Sequence, residues 1–423
     1  MLAPDQPCSS PLFPVGRFQQ LLAIVVFGMS IVSQAGCRGP ENTPIEIAGT
    51  DTNGVFHVHP GEDIQMVLDA AAEASAGATV RIHEGTYRPA QYGQAFIRFN
   101  RQHDGIKLEA VGEVVLTAAN EDIADPSEAG FPAMVNHVVF FGDGISPRTV
   151  LRGVTITGAN GFVSDDDSSP SIEPDSNLQQ LEKGLFFYCD GGGIKIFGRS
   201  YPTIEGVVIR DNVTRLCGAG VSVEHRGFSE NQAVFRDCVF RDNRCPGTGS
   251  AVDVLGGSSA VIENCLFVGN IGNTGMDRIA IEYGLRYNHK HGCGALTVFP
   301  NSRVSVRRCT FTENWNGADD KGVGNSYLDS IFWQNVAGDG SRPGGPYELD
   351  IADASNVRRC YIGGNVADLQ QTIVPQDNNL DAPNPQFDML FQPRAKEYQD
   401  VGYRLATIRS VHITKPLQQK PES

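Results

Sequence analysis

One short pattern recurs along the chain, and repetition constrains its fold more than any other feature. An apolar residue is followed three positions later by Cys, Val or Ser, and five residues after that by Asn. The copies span 204–212, 235–243, 262–270, 306–314, 327–335 and 357–365, ending in Asn212, Asn243, Asn270, Asn314, Asn335 and Asn365. A looser copy runs from Leu151 to Asn160. Successive Asn are separated by 31, 27, 44, 21 and 30 residues. A unit of 21 to 30 residues with occasional insertions fits one coil of a parallel β-helix. Apolar side chains alternate within each copy, as in Cys265 and Phe267 or Cys309 and Phe311, which is the period of a strand with one buried face. The Asn falls where the strand must turn, since Asn tolerates left-handed backbone and its amide can bond the copies above and below. Coils stacked about 4.8 Å apart would then build an asparagine ladder.

A second strand precedes five of these copies, at 191–196, 218–223, 249–254, 294–298 and 347–351. The glycines that open most of them mark tight corners where a side chain would collide with its neighbour. The paired repeats resemble the right-handed single-stranded parallel β-helix superfamily of pectate lyases and their relatives. The glycine run before Ile194, with the Phe-x-x-Asn elements at Phe240, Phe267, Phe311 and Phe332, is also similar to the repeats of polymorphic outer-membrane proteins. The resemblance covers roughly residues 55–410 and implies an all-β, right-handed parallel β-helix solenoid with a short N-terminal capping helix. Ile64, Val67, Leu68 and Ala71 share one helical face that would cover the open end of the apolar stack. Residues 384–387 (Asn-Pro-Gln-Phe) and 402–405 (Gly-Tyr-Arg-Leu) resemble the closing segment of secreted bacterial β-helix proteins.

Leu21 to Val32 carries no charge and follows Arg17. The run is short of the roughly 20 residues that span a bilayer and suits a signal-peptide core. Ser33 and Ala35 fit cleavage after Ala35; Gly36-Cys37 alternatively resembles a lipobox, with Cys37 lipidated. The expected division is a signal peptide at 1–36, a tether at 37–54, the β-helix with its cap at 55–380 and a closing segment and tail at 381–423. The chain is expected to be exported (extracellular, periplasmic or an outer-membrane lipoprotein) and monomeric, touching a membrane only through an N-terminal lipid. With 49 acidic against 34 basic residues, a net charge of −15, it lacks the basic footprint of a nucleic-acid binder.

Of ten cysteines, Cys238, Cys265, Cys309 and Cys360 share one repeat position and should stack inward as small hydrophobes. Cys189, Cys217, Cys245 and Cys293 sit at corners, where Cys217 and Cys245 could bridge adjacent coils in an oxidising compartment. No CxxC spacing supports zinc.

On the second strand, alternation turns Lys195, Ser222, Asp253, Thr297 and Asp350 outward, with Glu224 two residues beyond Ser222. The resemblance implies a linear polysaccharide groove along that face. Elimination from a uronic acid needs a cation on the carboxylate and a base for the α-proton. Lys195, Arg199 and Arg226 are the candidate bases; Asp190, Glu224 and Asp253 offer hard oxygens to Ca²⁺. The bland alternative is a solvated face on which Lys195 and Glu224 simply pair. The long insertion near 271–292 brings Arg286, Tyr287, His289, Lys290 and His291, aromatic and basic groups suited to stacking on sugars and binding carboxylates. Asp165, Asp166 and Asp167 in an earlier insertion read first as an acidic surface run, and His57 and His59 as solvent-facing. The polygalacturonase signatures are missing, as are the long pectate-lyase ones. Two functions stay open: recognition of extracellular polysaccharide with lyase-type cleavage of an acidic glycan, or a non-catalytic adhesin or envelope scaffold.

Overall fold

The computed structural model describes residues 50–405 except 52–53, 167–180, 276–280, 282–283, 285–293, 337–345, 364–372 and 375–376. The expected signal segment, Cys37, Asp167, Cys293 and Asn365 lie outside the described residues. From Val135 onward each coil contributes three short strands. The first joins an eight-stranded parallel sheet: Gly93–Phe99, Val135–Phe141, Ile194–Phe197, Val221–Glu224, Val252–Val254, Leu296–Val298, Ala318–Asp320 and Leu349–Ile351. The other two, such as Ala233–Arg236 and Val239–Arg241, belong to a seventeen-stranded sheet. Pairing is parallel and in register, Val221 against Val252 and Val239 against Leu266. The strand Ala318–Asp320 escaped the sequence pattern and inserts Asp319 between Thr297 and Asp350 in the outward row.

Left-handed residues make the bends. Gly206, Asp237, Asn264, Arg308, Asp329 and Arg359 separate the second strand of a coil from the third. Asp211, Asp242, Gly269, Glu313 and Gln334 then stand one residue before the ladder Asn, with φ from 53° at Asp242 to 69° at Gly269. The turn is therefore taken by the residue preceding the Asn, not by the Asn itself, and the amide is left free to point inward. There it forms the expected ladder: Nδ2 to Oδ1 distances are 3.1 Å from Asn212 to Asn243, 3.0 Å to Asn270, 2.9 Å to Asn314 and 2.8 Å to Asn335. The buried carboxylate of Glu348 ends the ladder by accepting from the Asn335 backbone at 3.2 Å and from its amide. Asn160 stands outside it and donates to the Phe131 carbonyl at 2.8 Å, because Ala159 occupies the register above Asn212.

Inside the coil, Phe240, Phe267, Phe311 and Phe332 stack with centroids 4.7, 4.2 and 4.6 Å apart. Beside them the inward cysteines each reach a backbone carbonyl of the preceding coil, as Cys238 Sγ does to Ile204 at 3.4 Å and Cys265 Sγ to Phe235 at 3.6 Å. Burial pushes the Cys360 thiol up to about 12. No disulfide joins the described cysteines, so the expected Cys217–Cys245 bridge is not formed. Helix α1 (Ile64–Ala74) caps the stack with the predicted face of Ile64, Val67, Leu68 and Ala71, and Asp63 caps it by accepting from Gln65 N at 2.8 Å. His59 is exposed as expected, whereas His57 is half-buried and shares a 2.8 Å contact with His83.

Two features bind the coils from outside. On the solvent face of the second strands, Arg81, Glu109, Arg152, Glu205, Arg236, Glu263 and Arg307 lie in consecutive register. Charge alternates at every step, with Arg152 bridging Glu109 at 2.7 Å and Glu205 at 3.0 Å. Exposed pairs of this kind contribute about 0–1 kcal/mol each. The closing segment then runs back along the solenoid. Gly402 N donates to Asp329 O at 2.8 Å, Tyr403 N to Thr310 Oγ1 at 2.9 Å and Arg404 N to Asn264 Oδ1 at 2.7 Å. Phe391 and Tyr403 pack on Val208, Val239, Leu266 and Val268. At Gly402 (φ 77°) a β-carbon would collide with Ile331. Gly402→Ala is expected to lift this strap, read as faster proteolytic loss of the C-terminal segment with the coils intact; unchanged cleavage kinetics would refute the tight approach. Among the described residues no helix is long and apolar enough to cross a membrane.

Candidate functional site

The outward row of the eight-stranded sheet is Arg98, Phe140, Lys195, Ser222, Asp253, Thr297, Asp319 and Asp350. Alternation places these side chains away from the core, yet Lys195, Asp253, Asp319 and Asp350 are 0% exposed. Over the upper part of the row the reason is local. Helix α2 (Leu185–Cys189) lies across the sheet, and Phe187 packs edge-on against Phe140 at 5.6 Å and Phe197 at 4.7 Å. Among the described residues Lys195 therefore faces neither an open groove nor solvent.

Lys195 is held on all sides. Its ammonium donates to Phe186 O at 2.9 Å and Ser222 Oγ at 3.1 Å and pairs with Glu224 Oε2 at 2.8 Å. The Lys195–Glu224 pairing across coils therefore forms, but in the interior. Arg226, in left-handed backbone at φ 58°, takes the other Glu224 oxygen at 3.2 Å. Arg199 belongs elsewhere. It clamps Asp143 with side-chain bonds of 2.8 and 2.6 Å and lies over the Phe228 ring at 4.5 Å, so it stabilises a corner and does not join Lys195.

A second group converges beside this pair. Asp190 Oδ1 accepts from Cys217 N at 2.9 Å, while Asp190 Oδ2 receives no hydrogen bond although the residue is 0% exposed. Both Asp253 oxygens lie 3.2 Å from Thr248 Oγ1. Donor atoms of Asp190, Cys217 and Asp253 lie within 4.8 Å of one another. Burial holds Asp190 well above the usual carboxylate range, with Asp253 and Glu224 reinforcing it and Lys195 opposing. Burial also pushes Asp253 up to about 7. His137 donates from Nδ1 to Gly191 O at 2.9 Å, and burial together with nearby Lys195 holds it down to about 3. Glu224, expected with Asp190 and Asp253 as a Ca²⁺ ligand, is instead spent on Lys195 and Arg226.

Further along, Asp319 accepts from Tyr347 OH at 2.9 Å, and Lys321 lies 3.2 Å from Asp319 and 3.5 Å from Asp350. Asp320 points into the core, where Tyr327 OH at 2.8 Å and Asn325 hold it, and burial pushes it up to about 6. Arg286, Tyr287, His289, Lys290 and His291 lie outside the described residues. Asp165 and Asp166 are exposed. Sequence reasoning missed His137 and Asp143, and offered Cys217 only as a disulfide partner for Cys245. A signal for Cys217 existed: Asp190, Cys217 and Thr248 each immediately precede a left-handed corner glycine, Gly191, Gly218 or Gly249, so they form one row.

Chemically, the arrangement can store charge and bind a cation, but Lys195 can accept no substrate proton while its N–H groups are engaged and covered. The family model described as "Right handed beta helix region" matches residues 150–277, the coils that carry Lys195, Cys217 and Asp253. No curated protein matches the chain. The parallel coils, the inward ladders and that match together make this chain a right-handed parallel β-helix repeat protein.

Proposed function

We propose that this protein is exported to the cell envelope and acts there by binding rather than by cleaving, as a surface scaffold or adhesin whose long solenoid faces contact polysaccharide. The observation that carries the reading is the closed Lys195–Glu224 pair: the residue best suited by type to be an elimination base is 0% exposed, hydrogen-bonded to two acceptors and ion-paired with Glu224. Export rests on the apolar run from Leu21 to Val32 and the small residues after it. The lyase reading draws on one observation, the convergence of Lys195, Asp190, Asp253 and His137, because perturbed titrating groups gather at functional sites. It requires α2 to leave the sheet.

The test incubates the chain lacking residues 1–36 with pectic, alginate and sulfated polysaccharides, with and without Ca²⁺. It follows ultraviolet absorbance of unsaturated uronate, reducing ends and co-sedimentation. Flat absorbance and reducing-end traces with co-sedimentation on at least one polymer are expected. A Ca²⁺-dependent rise in unsaturated product that Lys195→Met abolishes, in a variant still folded by circular dichroism, would replace this reading with a lyase.

A further inference from the structure

The corner that opens the first strand is built alike in three successive coils. Asp190, Cys217 and Thr248 each stand before a glycine of positive φ (80°, 60° and 58° at Gly191, Gly218 and Gly249). The row is hydrogen-bonded along its length, Cys217 N to Asp190 Oδ1 at 2.9 Å and Thr248 N to Cys217 Sγ at 3.5 Å. Asp253, five residues past Thr248, returns its carboxylate to the Thr248 hydroxyl at 3.2 Å. Two carboxyls and a thiol, all at most 1% exposed, thus meet within 4.8 Å.

We propose that Asp190, Cys217 and Asp253 form a zinc-type divalent metal site that staples three successive coils. The independent sign of a ligand is Asp190 Oδ2, a wholly buried oxygen that receives no hydrogen bond. Leaving such an acceptor unmatched costs about 1–3 kcal/mol, and a cation between the carboxyls and the thiol would use it. Donors on one tetrahedral zinc, with bonds of about 2.0–2.3 Å, stand roughly 3.3–3.8 Å apart. The observed spacing closes to that range with a contraction of about an ångström, which small side-chain rotations supply.

The donor set selects the metal. A thiolate with two carboxylates suits zinc and its borderline neighbours, whereas Ca²⁺ seeks six to eight oxygens. Charge also balances. Three ionised ligands around a divalent ion leave one net negative charge, and the Lys195 ammonium interacts with both Asp190 and Asp253. A thiol must lose its proton to ligate a metal, so affinity is expected to rise with pH.

The experiment uses the whole exported chain, stripped with chelator and then offered Co²⁺, both in the folded state and during refolding. Cobalt reports on sulfur through a thiolate charge-transfer band in the near ultraviolet. One Co²⁺ per chain, the band, its displacement by Zn²⁺ but not by Ca²⁺, and a Zn²⁺-dependent rise in Tm are expected. Asp190→Asn keeps an acceptor for Cys217 N, so the variant should stay folded in chelator, checked by circular dichroism. Its affinity should fall by at least about 100-fold, beyond the effect of losing an outer-shell partner. Cys217→Ser should lose the band. The proposal is overturned if wild-type protein takes up no Co²⁺ by either route, or if Asp190→Asn and Asp253→Asn bind it as tightly as wild type.

Discussion

Lys195→Met is expected to destabilise the protein by about 3–5 kcal/mol, the cost of stripping the partner from a buried ion pair. Glu224 is then left inside the molecule with Arg226 alone at 3.2 Å, and the Phe186 carbonyl loses its donor. Methionine fills much the same volume, so the loss is electrostatic and not a cavity. Adding Glu224→Gln to Lys195→Met should recover most of the stability, because the orphaned charge goes with its partner; chemical denaturation of the single and double variants measures both. If Lys195→Met were neutral, the pair would be a surface contact and the seal under α2 an error. The prediction also separates function from fold: a scaffold loses stability without losing chemistry, whereas a lyase loses turnover at temperatures where the variant is still folded.

Asn270→Ala is expected to be nearly as damaging, at about 4 kcal/mol. Asn270 is wholly buried in mid-ladder. It accepts from Asn243 Nδ2 at 3.0 Å and Asn243 N at 3.2 Å, and donates to Asn314 Oδ1 and Phe240 O, both at 2.9 Å. Alanine leaves several buried groups without partners, each costing about 1–3 kcal/mol. Asn212→Ala is the comparison, since at the ladder's end its oxygen serves only Ala159 N at 3.3 Å; its loss should be clearly smaller by denaturation midpoint. Equal effects would mean that the amides act as separate turn residues and not as a ladder.

What the sequence made legible was whatever repeats. The ladder, the phenylalanine and cysteine stacks and the capping face of Ile64, Val67, Leu68 and Ala71 follow from period alone, because a parallel coil superimposes equivalent positions. The strand Ala318–Asp320 was hidden because Asp320 fills a core-facing position, satisfied there by Asn325, Tyr327 and Gly322. Sequence alternation takes such a residue for solvent-facing. Lys195 failed differently. Its outward direction was right, but its burial depends on α2, a helix of 5 residues too short to carry a period of its own. The corner row of Asp190, Cys217 and Thr248 was visible only to an alignment of corners, which the insertions between coils obscure.

The alternating Arg and Glu face carries a consequence for how such a chain can grow or shrink. A solenoid changes length by gaining or losing whole coils, and most of its ladders are indifferent to how many. This face is not. Excising the coil of Arg236 would set Glu205 directly against Glu263, and like charges opposite one another are destabilising. Excising two neighbouring coils restores opposite signs. The face therefore acts as a parity check, tolerating changes in pairs and penalising single steps, and it resists a one-coil slip during folding for the same reason.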